Sequence, residues 1–356
     1  MIALEDVTKN LPSLQFDSAL PDDERRALIQ LRTKSLVSIS TACAQSIYFV
    51  SILNKVNEVI LKKTRSLNNN SCITSVFSGL KIGIIGCGRL GRELASVLLN
   101  LGVVKASHLY ISTRCPENLE EFQDKGTFCC FDNSLVGRTV DILFLCCLPS
   151  QFTTVSKDLR SNLNGVVFSF VSGLPLARIS QLLDYQNIIS PTLTFKSNIA
   201  EIFEDSNPWK FGIDIMEILA DQNCIIHTSP SYTGEDALLE MDVNLLENII
   251  FAVLNECTRH GIGCQEAVRL CNSILFALTP EHPSYFVLND ILRVKDSKEN
   301  TGTKDMTDFL PIFDLVKMKS EETSVLPLGK RIVEDESLRT AFADVYQNVF
   351  QKCVSV

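Results

Sequence analysis

Residues 81–91 read Lys81-Ile82-Gly83-Ile84-Ile85-Gly86-Cys87-Gly88-Arg89-Leu90-Gly91, an apolar run that enters G-x-G-x-x-G. Glycines at that spacing permit a tight turn, let backbone approach a pyrophosphate and let the next helix lie close on the strand. Such a helix offers unpaired N–H groups and a positive dipole end to an anion. The context agrees on both sides: Ile82, Ile84 and Ile85 read as a buried parallel strand, and Arg92–Asn100 as a helix. Ile85, Gly86, Cys87, Gly88, Arg89, Leu90 and Gly91 are therefore expected to wall a dinucleotide site.

From about residue 78 the chain alternates strand and helix. Strands are expected at Lys81–Ile85, His108–Ser112, Thr127–Phe131, Val140–Cys147, Val166–Val171, Asn187–Ser190 and Asn223–His227, with helices such as Leu176–Leu183 between them. This is the pattern of a doubly wound α/β fold with a mostly parallel sheet. After about Ser231 the strands stop. Asp236–Arg259, Gln265–Leu278 and Ser337–Lys352 read as amphipathic helices, and residues 295–306 as a polar loop. Upstream, Leu28, Leu31, Leu36, Ile39, Ile47, Val50, Leu53, Val56 and Ile60 recur at helical spacing and line one or two apolar faces, before a linker at Asn68–Ser71. The expected organisation is a helical N-terminal extension and linker (1–75), a Rossmann-type domain (76–230) and an all-α C-terminal domain (231–356) for substrate and dimerisation.

The second strand says which dinucleotide to expect. An NAD site places Asp or Glu there for the ribose 2′-OH, whereas an NADP site uses small polar residues and Arg for the 2′-phosphate. Here the strand ends Ile111-Ser112-Thr113-Arg114, without an acid. Arg114 supplies a forked cation and Ser112 and Thr113 supply hydroxyls, so NADP is the expected cofactor. Leu148-Pro149-Ser150 and Ser172-Gly173 follow two further strands and are expected to flank it.

Together these residues resemble the pyrroline-5-carboxylate reductase family, as a divergent member. The family's I-G-x-G-x-[LM] turn matches Ile85–Leu90, and its small polar residues before the 2′-phosphate match Ser112, Thr113 and Arg114. Its adenosine-side Asn is similar to Asn133, its A-V-K-P turn to Cys146-Cys147-Leu148-Pro149, and its S-x-A-A-G turn to Ser169–Gly173. The resemblance implies that Asn133, Cys147, Leu148, Pro149, Ser172 and Gly173 also contact the cofactor. It covers about residues 80–195 well and the C-terminal part faintly. The nucleotide module also resembles that of coenzyme-F420-dependent NADP oxidoreductases.

The departures lie where the substrate would bind. Leu148 stands for the family's Lys, Ser190–Phe195 lacks its Asn, and Leu239–Leu245 lacks the glycine and proline of its helix start. Ser320–Leu326 has lost the glycines of its substrate segment but keeps the hydroxyls of Thr323 and Ser324. In the family a hydroxyl from the helical domain sits near the imine nitrogen, so Thr323 and Ser324 are candidate catalytic residues, with Tyr232 at the domain junction as a third. His227 reads as structural, and Glu240 and Asp242 as acids opening a helix. Two functions follow: an NADPH-dependent oxidoreductase reducing a small cyclic imine or carbonyl compound, as in proline synthesis, or a catalytically degraded NADP(H)-binding protein that senses cofactor or binds partners.

Composition narrows the partners. A net charge of −9 and the absence of a Lys/Arg run argue against nucleic acid. The apolar runs look strand-sized, so no membrane span is expected. The acidic early residues do not make a signal or transit peptide, which favours the cytoplasm. The 13 cysteines include no C-x-x-C and the four histidines have no ligand spacing, so buried reduced thiols and no metal are expected. Asn244–Leu254 is apolar around most of its circumference, and such a helix is buried in its own domain or against a second subunit. The family's helix-swapped dimers imply a homodimer.

Overall fold

The run Ile82–Ile85 forms β1 at the centre of a six-stranded parallel sheet. The computed structural model describes residues 21–67, 79–197, 209, 213–276, 286–291, 309–320 and 327–354. After β1 come β2 (Leu109–Ser112), β3 (Phe128–Cys130), β4 (Ile142–Leu145), β5 (Val166–Ser169) and β6 (Ile188–Ile189), in the order β3-β2-β1-β4-β5-β6. Strand order reverses between β1 and β4, which pair in register from Ile82 with Ile142 to Ile85 with Leu145. That reversal opens a crevice at the carboxyl ends of the strands.

The described helices of seven residues or more are α1 (Asp22–Leu67), α2 (Arg89–Asn100), α3 (Asn133–Thr139), α4 (Pro149–Leu159), α5 (Leu176–Leu183), α6 (Val243–Arg259), α7 (Cys264–Phe276), α8 (Pro327–Glu334) and α9 (Glu336–Val354). The period of two along each strand sorts its side chains onto two faces. Ile82, Ile84, Phe144 and Phe168 pack with α1, α2 and the C-terminal helices in one continuous core. Ile85, Leu143, Leu145 and Val167 pack with Val136, Phe152, Leu159 and Ile179 of α3–α5 on the other face.

Three sequence expectations are corrected. Asn223–His227 is not a strand: Gln222–Ile225 is a helical turn and Ile226–Thr228 a 3₁₀ turn, begun where Asp221 accepts the Asn223 N–H at 2.8 Å. A short apolar run does not by its period distinguish strand from helix, and here the cap decides. The helix expected from Asp236 starts instead at Val243. Asp242 caps it, accepting the Leu245 N–H at 3.0 Å, while Leu239 bridges to Phe195 in antiparallel fashion. Glu240 therefore lies outside the helix.

The third concerns α1. It is one helix of 46 residues, and residues 40–50 are buried on every side. By length and composition Asp23–Lys63 holds a stretch apolar enough to cross a bilayer, contrary to the expectation that none exists, but 78% of that window is buried inside the fold. Its polar residues break the apolar run in the sequence; Ser46 Oγ donates to the Ala42 carbonyl at 2.7 Å, whereas the Ser40 and Thr41 hydroxyls are buried with no hydrogen-bond partner among the described residues. α6 is likewise buried around nearly its whole circumference within the one chain. The linker at Asn68–Ser71 and the loop at 295–306 lie outside the described residues.

One buried acid in this helical layer sets a pH dependence. Burial pushes the Glu247 carboxyl on α6 from about 4.5 up to about 7, against the opposing pull of the Gly329 N–H in α8. The folded state then holds a proton that the unfolded chain has released, so stability falls as pH rises from about 4.5 to about 7 and stays lower above. Glu247→Gln is expected to flatten that slope and to stabilise the fold at pH 8 by about 2 kcal/mol. Urea unfolding across this range checks it, and an unchanged slope contradicts it.

Candidate functional site

Five segments meet at the carboxyl edge of the sheet: the β1–α2 turn, Ser112–Arg114 after β2, Phe131 and Asn133 at the β3–α3 junction, the start of α4, and Phe170 and Ser172 after β5. They enclose a cleft of about 810 Å3. Of the residues expected at a cofactor, Ile85, Gly86, Cys87, Gly88, Arg89, Leu90, Ser112, Thr113, Arg114, Asn133, Cys147, Leu148, Pro149 and Ser172 line it. Gly91 and Gly173 do not: Gly91 lies under the turn, and Gly173 takes a left-handed φ of 75° one residue beyond the lining.

The glycines have three separate jobs. Gly86 has φ +91° and donates its N–H to the Ser112 carbonyl at 3.0 Å; a Cβ there would stand 2.8 Å from the Cys147 nitrogen. A Cβ on Gly88 would meet nothing within 4 Å, because that position faces the open cleft. A Cβ on Gly91 would stand 2.1 Å from the Gly86 carbonyl oxygen, so only glycine lets α2 lie this close to the turn. Gly88 caps α2 without a side chain, and the first-turn N–H groups of α2 have no side-chain cap. An anion at Gly88 would complete them.

On the β2 side, the Ser112 hydroxyl donates to Asn133 Oδ1 at 2.8 Å, and Asn133 Nδ2 donates to Asp158 Oδ2 at 2.9 Å. Ser112 has thus spent its proton inside the protein and is left only acceptor capacity, a correction to its expected role as a hydroxyl donor. Thr113 and the exposed Arg114 remain as donors in this part of the cleft, and Arg114 is in no ion pair with a described residue. Arg89 brings a second guanidinium to the lining, which also includes the acid Asp158.

Ser150, expected in the turn after β4, lines the cleft, as do Cys146 and Phe170 from the two turns that resemble the family's; Asp158 was not expected, nor were Phe131, Gln151, Thr154 and Val155. Part of this set has a sequence signal. Once Pro149 opens a helix, Ser150, Thr154 and Asp158 follow at four-residue spacing on the face that carries Gln151 and Val155. Phe131 has no such signal.

The thiols at the cleft are not poised as nucleophiles. Burial pushes Cys87 and Cys147 up to about 11 and raises Cys146 well above its ordinary value, so all three stay protonated near neutrality. Among the described residues no His/Cys/Asp/Glu group could hold a metal ion.

Tyr232 is not among the residues lining the cleft. Its hydroxyl donates to Asp236 Oδ1 at 2.7 Å, and its ring stands edge-on to His227 with centroids 5.4 Å apart. The hydrogen bond to Asp236, helped by burial, pushes Tyr232 up to about 12. Burial lowers the His227 imidazole, although Asp236 pulls the other way. This group closes a surface turn. Thr323 and Ser324 lie outside the described residues.

Comparison with known proteins agrees with this layout. The family described as NADP oxidoreductase coenzyme F420-dependent matches residues 81–172, from β1 to the segment after β5. The mouse NADP-dependent oxidoreductase domain-containing protein 1 is 30% identical over 366 residues, covering 98% of this chain and 95% of that protein. The Escherichia coli pyrroline-5-carboxylate reductase is 27% identical over 112 residues, covering 31% of this chain and 42% of that protein. A solved Plasmodium falciparum pyrroline carboxylate reductase with NADP bound aligns over 78% of this chain and 97% of its own at 14% identity. Its TM-score is 0.29, too loose a likeness to argue from.

Proposed function

We propose that this chain, which belongs to the family of NADP-dependent oxidoreductase domain-containing protein 1, a divergent branch of the pyrroline-5-carboxylate reductases, binds NADPH in the cleft and reduces a small cyclic imine or carbonyl compound. One observation carries the reading: a glycine cradle with an open face at Gly88 continues into a β2 end that has no acid and presents Arg114. Bound there, the reduced nicotinamide would supply a hydride to an electron-poor C=N or C=O carbon. The α2 N–H groups and Gly88 hold the pyrophosphate, while Arg114 and Thr113 hold the 2′-phosphate. Leu148 and Pro149 after β4, with Ser172 after β5, flank the nicotinamide half. Leu148 is 62% exposed there and presents apolar surface that sheds water from the reacting face.

The 2′-phosphate reading is checked by nucleotide affinities. Arg114→Ala is expected to weaken NADPH about tenfold or more and to leave NADH unchanged, because a charge-assisted hydrogen bond contributes about 1.5–3 kcal/mol. Equal affinities of the unmodified chain for NADPH and NADH would contradict it. Turnover is tested by NADPH oxidation against pyrroline-5-carboxylate and a panel of cyclic imines and carbonyl compounds. NADPH binding without oxidation by any of them would overturn the proposed activity.

A further inference from the structure

We propose that Phe131 is the platform on which the adenine ring stacks; the inference rests on the dinucleotide reading of the cleft and adds a ring-binding subsite to it. Phe131 follows β3 directly and lines the cleft, yet it is 72% exposed, more than any other large apolar side chain among the described residues. Its position offers it an ordinary structural job that it does not take. Asp132 caps α3, accepting the Leu135 N–H at 2.8 Å, so Phe131 is the residue before a cap and its staple partner would be Val136. Val136 is instead fully buried in the sheet core, and Phe131 belongs to no hydrophobic cluster of the protein.

The strand order says what such a ring faces. The pyrophosphate lies over β1 and the 2′-phosphate over the β2 end at Arg114, so the purine continues outward to the edge strand β3, where Phe131 stands. An aromatic face stacks on a base irrespective of the hydrogen-bonding edges, and such a contact amounts to between about fivefold and a hundredfold in affinity by alanine substitution. Asn133, two residues on, is held by Ser112 and Asp158, which keeps the cleft polar on the ribose side and leaves Phe131 as the apolar surface there.

The test is binding of NADPH and of adenosine 2′,5′-bisphosphate to the full chain, its Phe131→Ala form and its Phe131→Trp form. Phe131→Ala is expected to fold normally, since the ring packs on no core, and to weaken both ligands by about tenfold. Phe131→Trp is expected to restore binding, with the new indole's fluorescence quenched when the bisphosphate is added. Affinity for the bisphosphate within twofold of the unmodified chain in Phe131→Ala would overturn the platform, as would failure of Phe131→Trp to restore it. If the unmodified chain binds neither NADPH nor NADH, the dinucleotide reading falls and the platform with it. If it binds NADPH and Phe131→Ala binds equally well, the platform alone falls.

Discussion

Gly88→Ala is expected to leave the fold intact and to remove nucleotide binding, whereas Gly91→Ala is expected to damage both. At Gly88 the backbone is already in a conformation open to alanine, φ −80° and ψ −155°, and the added Cβ meets nothing within 4 Å. Stability should fall by no more than about 1 kcal/mol, the difference between Gly and Ala as a helix N-cap. The methyl projects into the cleft where the pyrophosphate must approach the α2 N–H groups. Losing a charge-assisted hydrogen bond and crowding the ligand together amount to about 3 kcal/mol, roughly a hundredfold in affinity. At Gly91 the obstacle is backbone: the Cβ would lie 2.1 Å from the Gly86 carbonyl oxygen and 3.3 Å from Ile84 Cγ2. α2 must then lift off the turn, at a cost of about 3 kcal/mol in stability, and its N–H groups lose their aim. Thermal unfolding and calorimetric titration with NADPH separate the two. Full-strength binding by a stable Gly88→Ala protein would mean that the phosphates do not lie where the glycines place them.

That contrast shows which parts of the site were legible in the sequence. The glycine turn was, because each of its three positions answers a different steric demand that other residues cannot meet. The β2 end was legible in composition and not in bonding. Ser112 and Arg114 look alike as donors in a sequence, but Asn133 takes the Ser112 proton through a contact 21 residues away. Asp158 reaches the cleft because α4 lies along it, and the four-residue spacing from Ser150 and Thr154 is its one sign in the chain. Short apolar runs at Asn223–His227 and Ala237–Leu239 satisfied strand and helix periods that were overruled, the first by a local cap at Asp221 and the second by a tertiary bridge from Leu239 to Phe195. α1 was legible as a helix but not as the centre of the core. Its apolar positions announced packing faces, but Thr33, Ser40, Thr41 and Ser46 are buried among them, which the period of the apolar residues alone does not show.

Loss of either aromatic ring at Tyr48 and Phe49 is expected to destabilise the whole chain by about 3–5 kcal/mol, the largest single-site effects on stability anticipated here. The two are successive residues of α1, about 100° apart around the helix, and they look in different directions. Phe49 packs on Phe168 of β5 at 5.5 Å between centroids, whereas Tyr48 packs on Phe342 and Tyr346 of α9 at 5.2 and 4.9 Å. One turn of one helix thus joins the nucleotide-binding sheet to the C-terminal helices. Gln45 strengthens the joint: its Nε2 donates to the Thr228 carbonyl at 3.3 Å, and the Thr228 hydroxyl is 3.0 Å from the Tyr346 hydroxyl. Sheet and helices should therefore unfold together, in one transition by every probe, with either substitution shifting that transition as a whole. Tyr48→Phe provides the contrast. The Tyr48 hydroxyl is buried without a hydrogen-bond partner among the described residues, so removing it keeps the ring and is expected to stabilise the fold by about 1 kcal/mol. Urea unfolding followed by both far-ultraviolet circular dichroism and Trp209 fluorescence checks all three forms. Two separated transitions in the unmodified chain, or a Phe49→Ala protein as stable as the parent, would show that α1 does not hold the two layers together.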